Sequence, residues 1–461
     1  MAEIFTRKFS EVSGGRFDPE FYIGQTIQIA TYPLKNFVKI KSGKRIPKGR
    51  SYANTTTTYK YLRVDDLDSE ILEIDIDKLK SIDKDIFTLL ERYEIHNDEV
   101  ALSIAGTIGK VFIFHNTTSN RVILTENCVK LQAQDNLLPK FLSLILKTDF
   151  LQSQMKRQYI QTTIPKLAIE RIKELQIPSI PPLSTQQHII DLMDKAYKAK
   201  QEKENKAKEL LDSIDSYLLE ELGIILPLRA NNTLDSRIYT QKISALSGSR
   251  FDANYHQPYY KKFEQALESG KYKTLRLVDI CQFRRGSFPQ PYGNQEWYGG
   301  ANAMPFVQVA DIDDNFKLKE KTNQQISQLA QPKSVFVSQN TIILSIQGTI
   351  GRVAITQYDC YVDRTIAIFT ELSNLLNQHF LAYMLSILFK NKADTARGIT
   401  LKTITKEEFR NFKIPLPPLT EQERIAKEIS QRKATAKALK QEAKESLESA
   451  KKEVEHIILG G

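Results

Sequence analysis

The sequence predicts a mixed α/β (α+β) protein: two globular domains separated by two long helices packed as an antiparallel coiled coil, with pseudo-twofold internal symmetry. Three observations carry this. Motifs recur in the same order at a spacing of roughly 235–245 residues, far longer than a solenoid repeat. Each copy has short β-like runs around a glycine turn. Each copy ends in a long charged stretch with an apolar stripe of seven-residue step.

The repeat is read directly. Gly15-Arg16-Phe17-Asp18 returns as Ser249-Arg250-Phe251-Asp252, and Tyr61–Asp68 as Phe306–Asp313. Leu102–Lys110, containing Gly106-Thr107-Ile108-Gly109, returns as Leu344–Arg352, and Pro181-Pro182-Leu183-Ser184 as Pro417-Pro418-Leu419-Thr420. A drifting offset places loops of unequal length between shared framework pieces. Strands are expected at Val100–Ile104 and Val111–Phe114, and at Thr341–Ile346 and Val353–Thr356, with the Gly-Thr-Ile-Gly as the turn between them. Helical patterns cover Leu137–Leu146 and Leu375–Leu388, and a shorter one precedes each proline pair. With 461 residues the chain exceeds one ordinary core. The expected boundaries are 1–180 and 225–416 for the globular domains, with 181–224 and 417–461 for the central and distal helices.

Each long helix should open on a capping box, Ser184 with Gln187 and Thr420 with Glu423. Ile189, Ala196, Leu210 and Tyr217 keep a seven-residue register interrupted at Lys203, beside Met193, Ala207 and Ile214. In the distal helix Ile429, Ala436, Ala443, Ala450 and Ile457 keep the step, with Ile425 and Leu439 alongside. Neither stripe can be buried alone, and the equivalent helix of the same chain is the simplest partner.

Lysine and arginine exceed the acids by 65 to 55, a net charge of +10 that suits a polyanionic partner. Cys128, Cys281 and Cys360 stand alone, without metal or disulfide spacing. No apolar run is long enough for a membrane span, and residues 1–15 lack a signal-peptide pattern, so a cytoplasmic protein is expected. No methyltransferase Pro-Pro-aromatic turn and no phosphate-cradling glycine loop is present. The histidines (His96, His115, His188, His256, His379, His456) fall in no ligand or triad spacing. Asp75, Asp77 and Lys78 faintly echo a nuclease cluster in a strand-like stretch, where solvated charges are the better reading.

The candidate DNA contacts lie in one basic, turn-rich segment per copy. Copy one offers Lys39, Lys41, Lys44, Arg45, Lys48 and Arg50, punctuated by Gly43, Pro47 and Gly49. Copy two offers Arg284, Arg285, Gln290, Asn294 and Gln295 around Gly286, with Trp297 nearby. Cations anchor phosphates, while Arg, Gln and Asn forks match base edges. Within shared framework, Arg63 stands opposite Gln308 and Ala105 opposite Gln347, as expected of a scaffold that keeps its frame and varies its contacts.

On the residues Gly14–Pro19, the two Gly-Thr-Ile-Gly turns and Ile414–Ile425, the sequence resembles the specificity subunits of type I restriction–modification systems over essentially its whole length. Copy one carries a degraded form of the last motif, Ile177–Ile189, without its Glu-Gln pair. The resemblance implies two target-recognition domains, each reading half of a split duplex sequence. It implies that the long helices space the halves and dock two methyltransferase (modification) subunits, to which restriction/translocase subunits are added. S-adenosylmethionine, ATP and Mg would then be bound by those partners, the chain itself being non-catalytic and without a cofactor. The alternatives are a coiled-coil scaffold joining two protein-binding domains and a diverged nuclease.

Overall fold

The computed structural model describes residues 29–67, 75–158, 166–229, 233–246, 251, 253–393, 396 and 402–460. The Gly14–Pro19 motif, Asp68, and Ser249, Arg250 and Asp252 of its second copy lie outside them. The chain divides into two units, Met1–Lys203 with Gln441–Gly461, and Glu204–Lys440, so each long helix contributes to both.

The first unit holds β1 (Thr31–Pro33), β2 (Val38–Ser42), β3 (Tyr59–Leu62), β4 (Lys80–Ser81), β5 (Val100–Ser103), β6 (Val111–Ile113), β7 (Arg121–Leu124), β8 (Cys128–Ala133) and β9 (Gln176–Pro178). A four-stranded antiparallel sheet has the order β2-β8-β5-β6. A second sheet, β4-β3-β7, pairs β3 with β7 in parallel, and β1 pairs with β9. Strands β5 and β6 of the first sheet stand between two cores, which is why they read as largely apolar runs. Val100 and Leu102 of β5 face the core shared with the helices Pro139–Lys147 and Asp149–Gln158, while the intervening Ala101 faces the core of the second sheet.

The second unit repeats the plan with β10 (Thr274–Arg276), β11 (Gln282–Arg285), β12 (Met304–Val307), β13 (Gln324–Ile326), β14 (Val335–Val337), β15 (Ile342–Ser345), β16 (Val353–Ile355), β17 (Cys360–Val362), β18 (Ile366–Thr370) and β19 (Lys413–Pro415). Its sheets run β11-β18-β15-β16 and β13-β12-β17-β14, with β12 parallel to β17, and β10 pairs with β19. Ile342 and Leu344 face one core and Ile343 the other. Both expected glycine turns are present: Gly106 and Gly109 take φ of 75° and 89°, Gly348 and Gly351 of 76° and 95°, a region that favours glycine.

Several boundaries differ from expectation. The helix read from Leu137 starts at Pro139, whose ring suits a first helical position, and the one read from Leu375 starts at Gln378, capped by the Asn377 side chain. The long helices run Leu183–Glu221 and Leu419–Ile458. Their ladders begin at the Pro182 and Pro418 carbonyls, so Ser184 and Thr420 already sit in the first turn and the expected capping boxes do not form. Instead each start is fixed by a fully buried glutamine that the sequence reading passed over. Gln186 accepts from Leu138 N at 2.8 Å and donates to the carbonyls of Asn136 and Pro181. Gln422 accepts from Asn377 N at 2.9 Å and donates to those of Leu375 and Pro417.

Within each unit the long helices pack together. In the first, Ile189, Met193 and Tyr197 share a core with Leu447, Val454 and Ile458, and Lys203 pairs with Glu442 at 3.2 Å. In the second, Ile214, Leu218 and Leu222 share a core with Ile425, Ala426 and Ile429. There Glu221 pairs with Arg424, and Ser213 accepts from Arg432 at 3.0 Å: eight residues back on one helix match eight forward on the other, an antiparallel pairing. Of the expected seam, Ile189, Met193, Ala207, Ile214, Ile425, Ile429, Ala436 and Ala443 are buried. Ala196, Leu210, Tyr217, Leu439, Ala450 and Ile457 are only half-buried, while Leu218, Leu222, Leu447, Val454 and Ile458 carry burial the strict step missed. A 3.6-residue helix drifts about 20° per heptad, so the contact line leaves a seven-residue register.

One seam residue of the second unit is out of keeping with its neighbours. Lys433 buries its ammonium without a hydrogen-bond partner, 3.6 Å from the centroid of the Phe316 ring and 5.5 Å from that of Tyr383. Burial lowers its pKa to about 8, with Asp313 opposing the shift. The folded state therefore holds fewer protons than the unfolded one between pH 8 and the ordinary lysine range, and stability should rise with pH across that window. Lys433→Met is expected to gain about 1–3 kcal/mol at pH 7, the desolvation cost of an unpaired polar group less the lost ring contacts. Thermal melts should show that gain shrinking toward pH 10.5.

Candidate nucleic-acid interface

Several of the residues singled out by sequence lie on or beside the edge strands of the two units. Lys39 and Lys41 are exposed on β2, and Arg284 and Arg285 on β11, so these four stand on edge strands rather than in the expected turns. Each edge strand ends in a glycine held against the second sheet. Gly43 N donates to Cys128 O, and Gly286 N to Ile366 O, both at 3.0 Å. A Cβ on Gly43 would lie 2.0 Å from Thr125 O, and on Gly286 2.2 Å from Val362 O. Close approach, not a turn, demands glycine here. Gly43→Ala or Gly286→Ala is expected to destabilise the protein by about 1–3 kcal/mol, since backbone must shift, and calorimetry would read it as a lowered Tm.

Beyond Gly43 the loop carries Lys44, Arg45, Lys48 and Arg50, all exposed. Lys44 N donates to Leu124 O at 2.9 Å, while the Arg45 and Arg50 guanidiniums pair with Glu126 and Asp85. Thr125 N in turn donates to Leu62 O, which brings Arg63 to the same junction. Arg63 holds Asp66 through two side-chain bonds at 2.7 and 3.1 Å. It would have to give up that carboxylate to reach a base. Gln308 occupies the same place before its own short turn, its backbone N bonded to Asp311 at 2.9 Å.

In the second unit Arg284 donates to Phe336 O and Arg285 to Ile404 O. Gln347 bridges Thr403, as the buried Ala105 bridges Lys166. Gln290 and Gln295 are exposed, whereas Asn294 is half-buried and caps the turn Gln295–Trp297.

Sequence reasoning missed three features. Lys110 and Arg352, which close the repeated Gly-Thr-Ile-Gly stretch, reach back to the carbonyls of Leu67 at 2.6 Å and Ile312 at 3.1 Å, and a cation at the same repeat position was the available signal. Phe288 packs on Tyr292, Tyr298 and Phe306, an aromatic platform in the second unit. Arg364 lies over the Tyr292 ring at 5.0 Å, and Tyr292 bonds Asp363. Asp75, Asp77 and Lys78 form a short 3-10 turn rather than a strand; Lys78 pairs with Asp75 at 2.8 Å and Asp77 accepts from Asn120. Among the described residues no group of three histidines, cysteines or acids could hold a metal, and no helix is long and apolar enough to cross a membrane. The three cysteines are buried, and burial pushes each thiol up to about 12.

One scaffold is used twice in this chain, with unlike side chains at matching places. The chain belongs to the type I restriction modification DNA specificity domain family, whose model matches residues 27–212 and 269–449. It is a DNA-recognition subunit of a type I restriction–modification system, not an enzyme in its own right. The chain is 22% identical over 403 residues to a putative type I restriction enzyme MjaX specificity subunit of Methanocaldococcus jannaschii, covering 84% of each. It is 25% identical over 153 residues to the type I restriction enzyme EcoBI specificity subunit of Escherichia coli, 32% of each chain. A solved structure from work on complex assembly and conformational transition of the type I R-M system shares the fold, with a TM-score of 0.55 at 17% identity, over 93% of this chain and 96% of that one.

Proposed function

We propose that each unit reads one half of a bipartite duplex target through its edge strand, the loop that follows and the sheet junction. In the first unit Lys41, Lys44, Arg45, Lys48, Arg50 and Arg63 make the contacts; in the second, Arg284, Arg285, Gln290, Asn294, Gln308 and Gln347. The observation that carries this reading is the contrast around the paired glycines. The edge strands Val38–Ser42 and Gln282–Arg285 and the glycines that follow them are placed alike, yet over residues 39–50 and 282–293 Gly43 and Gly286 are the one identity. A shared placement with unlike side chains is what two unlike half-sites require.

The long helices set the gap between half-sites and dock two methyltransferase subunits, with restriction/translocase subunits added to these. Those partners bring S-adenosylmethionine, ATP and Mg. The purified chain is expected to bind duplex DNA and transfer no methyl group until a modification subunit is added. Lys48→Ala should lower the slope of log affinity against log salt by about one, because one fewer phosphate is neutralised. Methyl transfer by the chain alone, or DNA binding insensitive to salt, would overturn the reading.

A further inference from the structure

Lys433, on the long helix Leu419–Ile458, has no part in the proposed reading of DNA. Its buried ammonium lacks a hydrogen-bond partner, and Lys433→Met is expected to make the fold more stable. Stability gives no reason for a lysine here, but its surroundings do. The two rings that face it come from different elements. Tyr383 belongs to the helix Gln378–Lys392, and its hydroxyl meets that of Ser430, one turn before Lys433, at 3.1 Å. Phe316 comes from the loop after Ile312 and stands edge-on to Tyr383, with ring centroids 5.1 Å apart.

Phe316 takes a φ of 63°, a left-handed conformation that bulky side chains rarely adopt, so contacts from elsewhere must hold it. Those contacts are the bond its carbonyl accepts from Ile355 N at 3.1 Å, the Tyr383 ring, and the Lys433 ammonium 3.6 Å from its own centroid. The stretch that carries Phe316 also presents Gln308. The Asp311 carboxylate accepts from Gln308 N at 2.9 Å and from Asn323 N at 2.8 Å, and the Asp311 carbonyl accepts from Lys319 N at 2.9 Å. Between them the Asp313 carboxylate closes the loop, accepting from Asn315 N and Lys317 N, both at 2.8 Å. One short hydrogen-bonded loop therefore joins the cation on the long helix to the Gln308 turn. Eleven residues after the buried Gln422 stands Lys433; eleven after Gln186 stands Tyr197, so the cation is confined to the second copy of this position.

We infer that Lys433 is a positioning residue for the second half-site: its cation, seated on Phe316, fixes the 312–318 loop and with it the Gln308 turn. The inference rests on the proposed reading by Gln308. The ring attracts the charge, so the hold is lost when the ammonium gives up its proton. Around the ammonium stand Asp313 and Asp314 of the loop, Asp215 of the other long helix, and Tyr383 and Lys390 of the helix Gln378–Lys392. Burial and Lys390 favour the neutral form, the three acids the charged one, and the pKa falls to about 8. In the test, the full chain with its modification subunit methylates duplexes carrying single base-pair changes in one half-site or the other. Discrimination is the rate on the unchanged duplex divided by that on the changed one, read from about pH 7 to about pH 9, where the lysine loses its charge. In the wild type it should fall about fivefold at the second half-site and stay level at the first. Lys433→Met and, separately, Phe316→Leu should show the lowered value already at the lower pH and no further fall. Lys433→Met should do so while melting at a higher temperature than the wild type, a combination that loss of structure does not produce. Wild-type discrimination in either variant, or an equal fall at both half-sites, would overturn the positioning role and leave the two readers standing. A second half-site indifferent to Gln308→Ala would overturn the reading by Gln308 on which that role depends.

Discussion

Replacing residues 31–160 with the corresponding stretch of another family member is expected to rewrite one half of the methylated sequence and leave the other half unchanged. The expectation follows from how the cores are built. Strands β1 to β8 and the helices Pro139–Lys147 and Asp149–Gln158 all lie inside the exchanged stretch. No residue of the second unit's three cores comes from it: these are assembled from Ile214 onward. The exchange therefore leaves every side chain of those cores unchanged. The proposed contacts Lys41, Lys44, Arg45, Lys48, Arg50 and Arg63 all travel with the exchange. Each wrong base pair costs about 1–3 kcal/mol, so methylation of the old half-site should fall by orders of magnitude once several are altered. Sequencing of methylated sites made by the exchanged chain with its modification subunit reads the result. Alteration of both halves, or of neither, would count against independent readers.

The second large effect concerns the spacing. Inserting one heptad into each long helix, after Lys203 and after Lys440, should add roughly 10 Å of helix. It keeps the apolar stripe nearly in phase, because seven residues are close to two turns. The preferred gap is then expected to grow by about three base pairs at 3.4 Å each, with both half-sites unchanged. Methylation at the original spacing should drop at least tenfold, since one reader would then meet the wrong bases. An unchanged gap would remove the spacing role from the helices.

Much of the fold is legible in the sequence because it is written twice. The Gly-Thr-Ile-Gly turns, the strands around them and the long helices rest on local signals, and the second copy checks the first. What escaped is long-range. The parallel pairing of Tyr59–Leu62 with Arg121–Leu124 joins residues 62 positions apart, with no local pattern to announce it. Gly43 and Gly286 read as turn glycines, yet they are required by carbonyls from another sheet. Gln186 and Gln422 were passed over because a capping box nearby explained the helix starts with local chemistry alone. The repeat itself held the clue: a glutamine three residues after each Pro-Pro-Leu, which a surface position would have had little reason to keep.

The candidate site was legible as a segment and less so residue by residue. Charge and glycine spacing located 39–50 and 282–293, while composition alone did not reveal that Arg63 is committed to Asp66, or that Arg284 and Arg285 reach neighbouring carbonyls. Such commitments depend on which strands meet.

The most direct single measurement is a genome-wide map of the bases methylated when this chain is expressed with its modification subunit in a host lacking both. Two unlike short sequences, separated by a fixed run of indifferent bases, are the pattern expected from two independent readers on one chain. A single uninterrupted motif, or a pair of identical halves, would contradict it.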